Sequence, residues 1–323
     1  MKRAGSAVSY LVAFFLIIAL NFLLPRLMPG DPLMAIYGEE ALIAMTPELK
    51  AELIQRFSLD KPLDEQFISY LLALLRGDLG YSYYYNAPVF EVIIGSLPWT
   101  LLLVGLAVLV SNALGIVLGI ESGYRRGRTV DKTLLAGLMF LSGFPDFFVG
   151  ILLLLLFGVA LGVVPLAGAV TPYAGKTGVS LVLDVLHHLL LPLFALVLVR
   201  LTGTYLLTRN TMITTLGEAF ILTAKAKGCQ ERVIRYRHAG KHSLLPVVTA
   251  TGLQLAHSVT GALFIEIIFS YPGVGSLLYN SLLTRDYPLM QGILLVTTVV
   301  ILATNYLVDL LYTRLDPRVA YAH

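Results

Sequence analysis

The chain has 323 residues, of which 57% are hydrophobic and only 13% are charged, and its mean hydropathy is +0.80. This composition excludes a soluble globular domain and predicts an integral membrane protein that crosses the bilayer several times. The net charge of +3 gives no reason to expect a nucleic-acid partner, and the single cysteine, Cys229, excludes an internal disulfide framework and a cysteine metal site.

Residues 1–28 are predicted to form the N-terminus and the first transmembrane helix. Lys2 and Arg3 precede a charge-free run from Ala4 to Pro25, which is long enough to cross a bilayer core that needs about 20 residues. A cleavable signal peptide is the alternative, but the apolar run is too long and no small-x-small site closes it. The basic residues indicate that the N-terminus lies in the cytoplasm.

Residues 29–91 are predicted to form a small external helical subdomain, because acids outnumber bases there and prolines interrupt it. Thr46 and Pro47 are typical of an N-cap and a first helical position. Three short motifs stand out: Pro29-Gly-Asp-Pro32, Leu59-Asp-Lys-Pro62 and Gly77-Asp-Leu-Gly-Tyr-Ser82. The tyrosine cluster that follows suits either a membrane interface or contact with an external protein.

Residues 92–323 are predicted to form a core of five transmembrane helices, over residues 92–120, 133–162, 181–207, 244–268 and 289–311. A basic loop at 124–128 follows the first of them and indicates the cytoplasmic side. An even number of spans, six in all, returns both termini to the cytoplasm. The third span contains Phe144-Pro-Asp-Phe147, and proline there predicts a kinked or broken helix.

Ionisable residues inside predicted spans are candidates for a translocation path. They are Asp146 at the proline break, and His257 and Glu266 in the fifth span. For each, a structural alternative stays open: Asp146 satisfied by freed backbone groups, His257 paired with Ser or Thr between helices, and Glu266 as an architectural residue. The neighbouring pair His187 and His188 invites a metal hypothesis, but no recognised ligand spacing surrounds it, and no metal site is predicted.

A polar island at 209–245 separates the fourth and fifth spans. Residues 217–227 favour a short helix, and Gly228 is expected to end it because glycine adopts the left-handed conformation without strain. A second polar helix fits residues 231–242. An ordinary basic loop is the alternative to a shaped docking surface. The segment Gly175-Lys-Thr177 is not a phosphate-binding loop, because Val170 stands where the earlier glycine is required.

The island carries the motif Thr223-Ala-x-Ala-Lys-Gly228, followed by His238-x-x-x-x-x-Leu244-Leu-Pro-Val-Val-Thr249. This combination resembles the cytoplasmic signature of permease subunits of ATP-binding-cassette importers, in the oligopeptide, dipeptide and nickel branch. Further motifs from Pro29 to Asp316, among them Tyr271-Pro-Gly-Val-Gly275 and Arg285-Asp-Tyr-Pro288, extend the resemblance over nearly the whole chain. It implies the type I importer fold, all-α with six transmembrane helices.

The resemblance implies that the polar island is a coupling helix that inserts into a groove on an ATPase subunit. Ala224 and Gly228 would then allow close approach to the ATPase, and Glu218, Lys225 and Lys227 would form polar rim contacts. The implied partners are a second permease subunit, two ATP-binding subunits, an external solute-binding protein and the lipid bilayer. ATP and Mg²⁺ would be bound by the ATPases. This chain is therefore expected to bind no cofactor and to have no catalytic activity of its own.

The implied location is the plasma (inner) membrane of a bacterium or archaeon. Relatives carry peptides, nickel or metal chelates, glutathione-like thiols and some sugars, so the cargo stays open. A stand-alone secondary transporter or channel is the rival function. Such proteins usually place several charges at mid-membrane or show internal repeats, and neither pattern is evident here.

Overall fold

The computed structural model describes residues 15–23, 27, 33, 37, 39–56, 61–244, 246–247, 250 and 262–315. Over these residues the structure consists of helices, one two-stranded antiparallel hairpin and the loops that connect these elements. The helices are α1 (Glu39–Ala44), α2 (Pro47–Arg56), α3 (Leu63–Leu75), α4 (Val89–Tyr124), α5 (Thr129–Ser142), α6 (Asp146–Leu153), α7 (Val179–Leu216), α8 (Ala219–Ala226), α9 (Glu231–Val233), α10 (Leu263–Ile268), α11 (Val274–Leu283) and α12 (Tyr287–Leu315). The strands are β1 (Tyr81–Ser82) and β2 (Ala87–Pro88), and π-helical turns extend α6 over Leu154–Ala160 and α9 over Ile234–Gly240.

Within the described ranges, three helices are long and apolar enough to cross a membrane: α4, α7 and the first part of α12. A fourth candidate is the pair α5 and α6, which is bent by 98° at Gly143–Pro145. Pro145 has an extended backbone and precedes the first turn of α6, where its missing N–H costs nothing. The predicted break in the third span is therefore confirmed. The predicted first and fifth spans fall largely outside the described residues.

The chain divides into two compact units, one of residues 1–98 with 276–300 and the other of residues 99–275 with 301–323. In the first unit, residues 276–300 associate with the N-terminal segment. Asp286 makes the connection: its carboxylate accepts hydrogen bonds from Ser82 Oγ (2.5 Å) and Tyr84 N (3.1 Å). Two motifs that are about 200 residues apart in the sequence thus meet in the first unit.

In the second unit, α4 and α7 pack closely along a row of glycines. A β-carbon added at any of the three would lie 2.6–2.8 Å from a side chain of α7; the pairs are Gly115 with Thr204, Gly119 with Thr208 and Gly123 with Met212. Small residues at every fourth position let two membrane helices approach closely. The spacing of this row explains why α4 and α7 stay in contact over several turns.

The long loop before α7 is fixed by Asp184. Its carboxylate accepts hydrogen bonds from Thr171 N (2.6 Å) and Thr171 Oγ1 (2.7 Å), and it pairs with Lys176 Nζ (2.6 Å). The Lys176 side chain, which the sequence sets within an incomplete phosphate-loop pattern, therefore holds this loop to α7. His187 Nε2 lies 3.1 Å from the carbonyl oxygen of Val163, and His188 Nδ1 lies 2.9 Å from that of Asp184.

Glu266 lies in the interior of the second unit with none of its surface exposed. Its carboxylate accepts hydrogen bonds from Thr100 Oγ1 (2.7 Å) and Gly275 N (2.7 Å), and Thr100 Oγ1 in turn accepts one from Val274 N (2.8 Å). A buried carboxylate is tolerated only when its oxygens are hydrogen-bonded. Glu266 therefore holds the turn between α10 and α11 against α4.

This arrangement predicts that Gly273→Ala destabilises the protein. A β-carbon at Gly273 would collide with the Glu266 carboxylate, and overpacking of a buried site costs about 1–3 kcal/mol. Thermal unfolding of the purified protein in detergent should show a lowered midpoint. Gly105→Ala is the matched control, because a β-carbon there meets nothing within 4 Å. An equal midpoint for the two variants would contradict the packing described for Glu266.

Candidate docking site

The helix α8, hereafter the docking helix, lies where the sequence predicts it. It begins after Glu218, which has an extended backbone, and it ends at Lys227. Gly228 follows with φ +74 and exposed surface, so the predicted left-handed termination is confirmed. A β-carbon at Gly228 would meet nothing within 4 Å. Within this chain, glycine is therefore required there by backbone conformation and not by crowding.

One face of the docking helix is packed against the rest of the second unit. Ile221 is fully buried and Ala224 is 7% exposed, in an apolar cluster with Ile120, Met212, Ile234 and Ala239. The packing of Ala224 within this chain is thus established, and its role in letting an ATPase approach closely stays a prediction. Ala224 faces inward, and its small size is explained by the packing of α8 on α4, α7 and the following turn.

The other face of the docking helix is open. Leu222 is 62% exposed and Phe220 is 38% exposed, with the Phe220 ring 4.7 Å from that of His242. Glu218, Lys225 and Lys227, the predicted rim residues, are also exposed. Leu222 was missed at the sequence level. The helical period could have indicated its exposure, because Ile221 and Ala224 lie on the inner face of the helix and Leu222 does not.

A buried ion pair fixes the helices beneath the docking helix. Arg209 of α7 binds Asp131 of α5 in a bidentate manner, with Nε to Oδ1 at 2.6 Å and a terminal nitrogen to Oδ2 at 2.9 Å. Asp131 also accepts hydrogen bonds from Ser122 Oγ of α4 (2.5 Å) and Gly127 N (2.8 Å). Ser122 Oγ lies 2.6 Å from Tyr205 Oη. One carboxylate thus connects three helices.

A second pair joins the π-helical turn after the docking helix to α4. One terminal nitrogen of Arg235 lies 2.8 Å from both carboxylate oxygens of Glu121, and its guanidinium lies 4.2 Å from the centre of the Tyr124 ring. Burial alone lowers the pKa of Arg235, but the Glu121 carboxylate and a hydrogen bond with Tyr236 raise it above its ordinary value. Arg235 therefore stays charged and keeps the two segments together.

The predicted translocation residues are not brought into one cluster. Asp146 opens α6, is half-buried and acts electrostatically on Arg200 of α7. Glu266 is enclosed by Thr100 and Gly275, as described above. This position favours the interpretation of Glu266 as an architectural residue. His257 lies outside the described residues. In the part of the chain that the structure describes, no three His, Cys, Asp or Glu side chains are grouped to hold a metal ion.

Comparison with known protein families shows which family the chain belongs to. Residues 111–321 match the model described as "binding-protein-dependent transport system inner membrane component", and residues 1–104 match the N-terminal model of the same membrane component. The chain belongs to this family. It is a permease subunit of a binding-protein-dependent ATP-binding-cassette importer, as the sequence motifs indicate, and it is an inner-membrane protein.

Two relatives match along almost their entire lengths. The di/tripeptide transport system permease protein of Pseudomonas aeruginosa is 35% identical, with 95% of this chain and 95% of the relative covered. The dipeptide transport system permease protein of Escherichia coli is 35% identical, with 99% and 98% covered. Family membership sets aside the stand-alone transporter, and it agrees with the prediction that the chain is a transport component and not an enzyme.

We expect Gly228→Glu to abolish solute uptake while the protein still inserts in the membrane. The substitution adds strain of about 1–2 kcal/mol at a left-handed position and places a charged side chain beside the open face of the docking helix. Gly228→Asn is the matched control, because asparagine tolerates this conformation. Uptake by cells and the amount of protein in isolated membranes are measured together. Loss of the Gly228→Glu protein from the membrane would remove support for a docking role.

Proposed function

We propose that this chain is one of two permease subunits of a peptide importer and that its docking helix binds a separate ATPase subunit. The observation that carries the proposal is the asymmetry of the docking helix. Its inner face is anchored by Ile221 and Ala224, whereas Leu222 stands exposed among charged residues. An apolar centre within a polar rim is the usual anatomy of a protein interface.

The complete importer would contain a second permease, two ATPases and an external solute-binding protein. ATP and Mg²⁺ would bind to the ATPases alone. We place both termini and the docking helix in the cytoplasm, since the loop at 124–128 and the docking segment are basic. Six transmembrane helices, with an external subdomain over residues 29–91, complete the proposed topology. Closure of the ATPases would move the docking helix and, through it, the spans on either side.

We propose di- and tripeptides as the cargo, because the two relatives described above are named for them. A peptide carries an ammonium and a carboxylate, so a path for it benefits from side chains of both charges. Asp146 and Arg200 would provide them on α6 and α7, where they interact electrostatically. This assigns Asp146 to the translocation path; for His257 the role stays a sequence-based proposal.

Docking on the ATPase predicts that Leu222→Glu releases the ATPase subunits from the complex. A charge at the centre of an apolar interface is costly because it must be desolvated without a partner. The tagged chain is purified in mild detergent and the co-purifying ATPase is quantified. Thr214→Glu is the control, since Thr214 is exposed near the end of α7 but outside the docking helix. Equal retention of ATPase by the two variants would refute the docking assignment.

If peptides are the cargo, we expect ATP-dependent uptake of a labelled dipeptide by vesicles that contain the purified complex and its solute-binding protein. Unlabelled di- and tripeptides should compete, whereas the free amino acids should not, because they lack the peptide unit and the spacing of the two charges. Radiolabelled nickel is tested in parallel. Uptake of nickel without uptake of dipeptide would overturn the peptide assignment and leave the importer function in place.

A further inference from the structure

A cavity of about 490 Å³ lies beside the docking helix. Its lining includes Arg125 and Arg128, which belong to the connection between α4 and α5, together with Lys225 and Arg235. Glu231 is the one acid in its lining. We call it the basic cavity, since four cations surround it.

Two of these cations share a single carboxylate, that of Glu121, which offsets only one of their two charges. Arg235 is paired with Glu121 at 2.8 Å, and Arg125 lies 3.5 Å from the same carboxylate. Among the described residues, no ion pair involves Arg128 or Lys225. Glu231, whose side chain is 81% exposed, lies 4.0 Å from Arg235. The cavity therefore has an excess of positive charge, and Arg128 and Lys225 contribute to it without an ion-pair partner among the described residues.

The wall that carries Arg128 is rigid. Gly127 turns the chain with φ +81 and donates its N–H to Asp131, and Arg128 N donates to the carbonyl of Arg125 at 3.0 Å. Asp131 is in turn held by Arg209. The docking helix contributes Lys225 to the lining of the same cavity. Any group that fills the cavity therefore contacts both the docking helix and the connection between α4 and α5.

We propose that the basic cavity receives an acidic side chain, Asp or Glu, of the ATPase subunit. The inference rests on the proposed docking function, because an ATPase bound over Leu222 is adjacent to Lys225 three residues along the same helix. Charge complementarity of this kind fixes the register of an interface and accelerates association. The ATPase then engages two segments of the permease, so its motion is transmitted to α4 and α5 as well as to α7.

The test is retention of ATPase by the tagged complex as salt is raised. For Arg128→Glu/Lys225→Glu we expect about a tenfold loss of retained ATPase at low salt, because like charges now face each other. The neutral variant Arg128→Gln/Lys225→Gln should give a smaller loss and a flatter salt dependence. The control is Arg126→Glu/Lys132→Glu, which changes the net charge equally at exposed positions outside the cavity lining.

An acid-to-base substitution in the ATPase that restores retention to the charge-reversal variant would support the proposal directly. Retention equal to that of the Arg126→Glu/Lys132→Glu control would overturn it. If Leu222→Glu still releases the ATPase in that case, the docking function stands and only the cavity assignment fails. Normal ATPase retention combined with weaker binding to vesicles rich in anionic phospholipid would also overturn it, by assigning the cavity to a lipid headgroup.

Discussion

The ion pair between Asp131 and Arg209 is the interaction on which the docking end of the molecule depends. Both groups are largely buried, and the carboxylate also accepts hydrogen bonds from Ser122 and Gly127. Removing one partner of a buried pair costs about 3–5 kcal/mol because the other charge is left uncompensated. Helices α4, α5 and α7 are therefore fixed to one another beneath the docking helix. Without this constraint, a force applied to the docking helix would move it alone.

The docking helix adds its own attachment to this base. Ile221 and Ala224 insert between α4 and α7, and the Glu121–Arg235 pair holds the turn that follows. The docking helix is thus attached by apolar contacts along one face, and the turn that follows it is attached by an ion pair. Apolar contact resists separation, and the paired charges resist sliding because their geometry is specific. The role proposed for the docking helix, the transmission of motion, needs both properties.

The local features of this region could be predicted from the sequence because they depend on short-range chemistry. Gly228 ends the docking helix, and Pro145 breaks the third span, for reasons contained in a few neighbouring residues. The inward position of Ala224 could not be predicted, since it depends on Met212 and Ile234 lying on the same side.

The hydrogen-bonded and ionic pairs between distant residues could not be predicted from the sequence, for a related reason. The Asp131–Arg209 pair joins residues 78 positions apart, and the Ser82–Asp286 bond joins residues 204 positions apart. Many Asp and Arg residues in the chain are chemically equivalent candidates for such pairs. Family motifs mark some of these positions as special but do not say which of them meet. The fold class was therefore accessible, whereas the connections that make the site rigid were not.

Two of the buried carboxylate networks contact the same membrane helix at well-separated positions. Thr100 of α4 binds Glu266, and Ser122 of α4 binds Asp131. The 22 residues between them correspond to about 33 Å of helix, close to the thickness of a hydrocarbon core of about 30 Å. Charged groups cost least near the membrane interfaces, and between the two networks α4 packs on α7 through Gly115 and Gly119 and through a hydrogen bond that Thr204 Oγ1 donates to Asn112 Oδ1 (2.8 Å). The two networks thus fix α4 at Thr100 and Ser122, and the close-packed stretch between them stays in contact with α7.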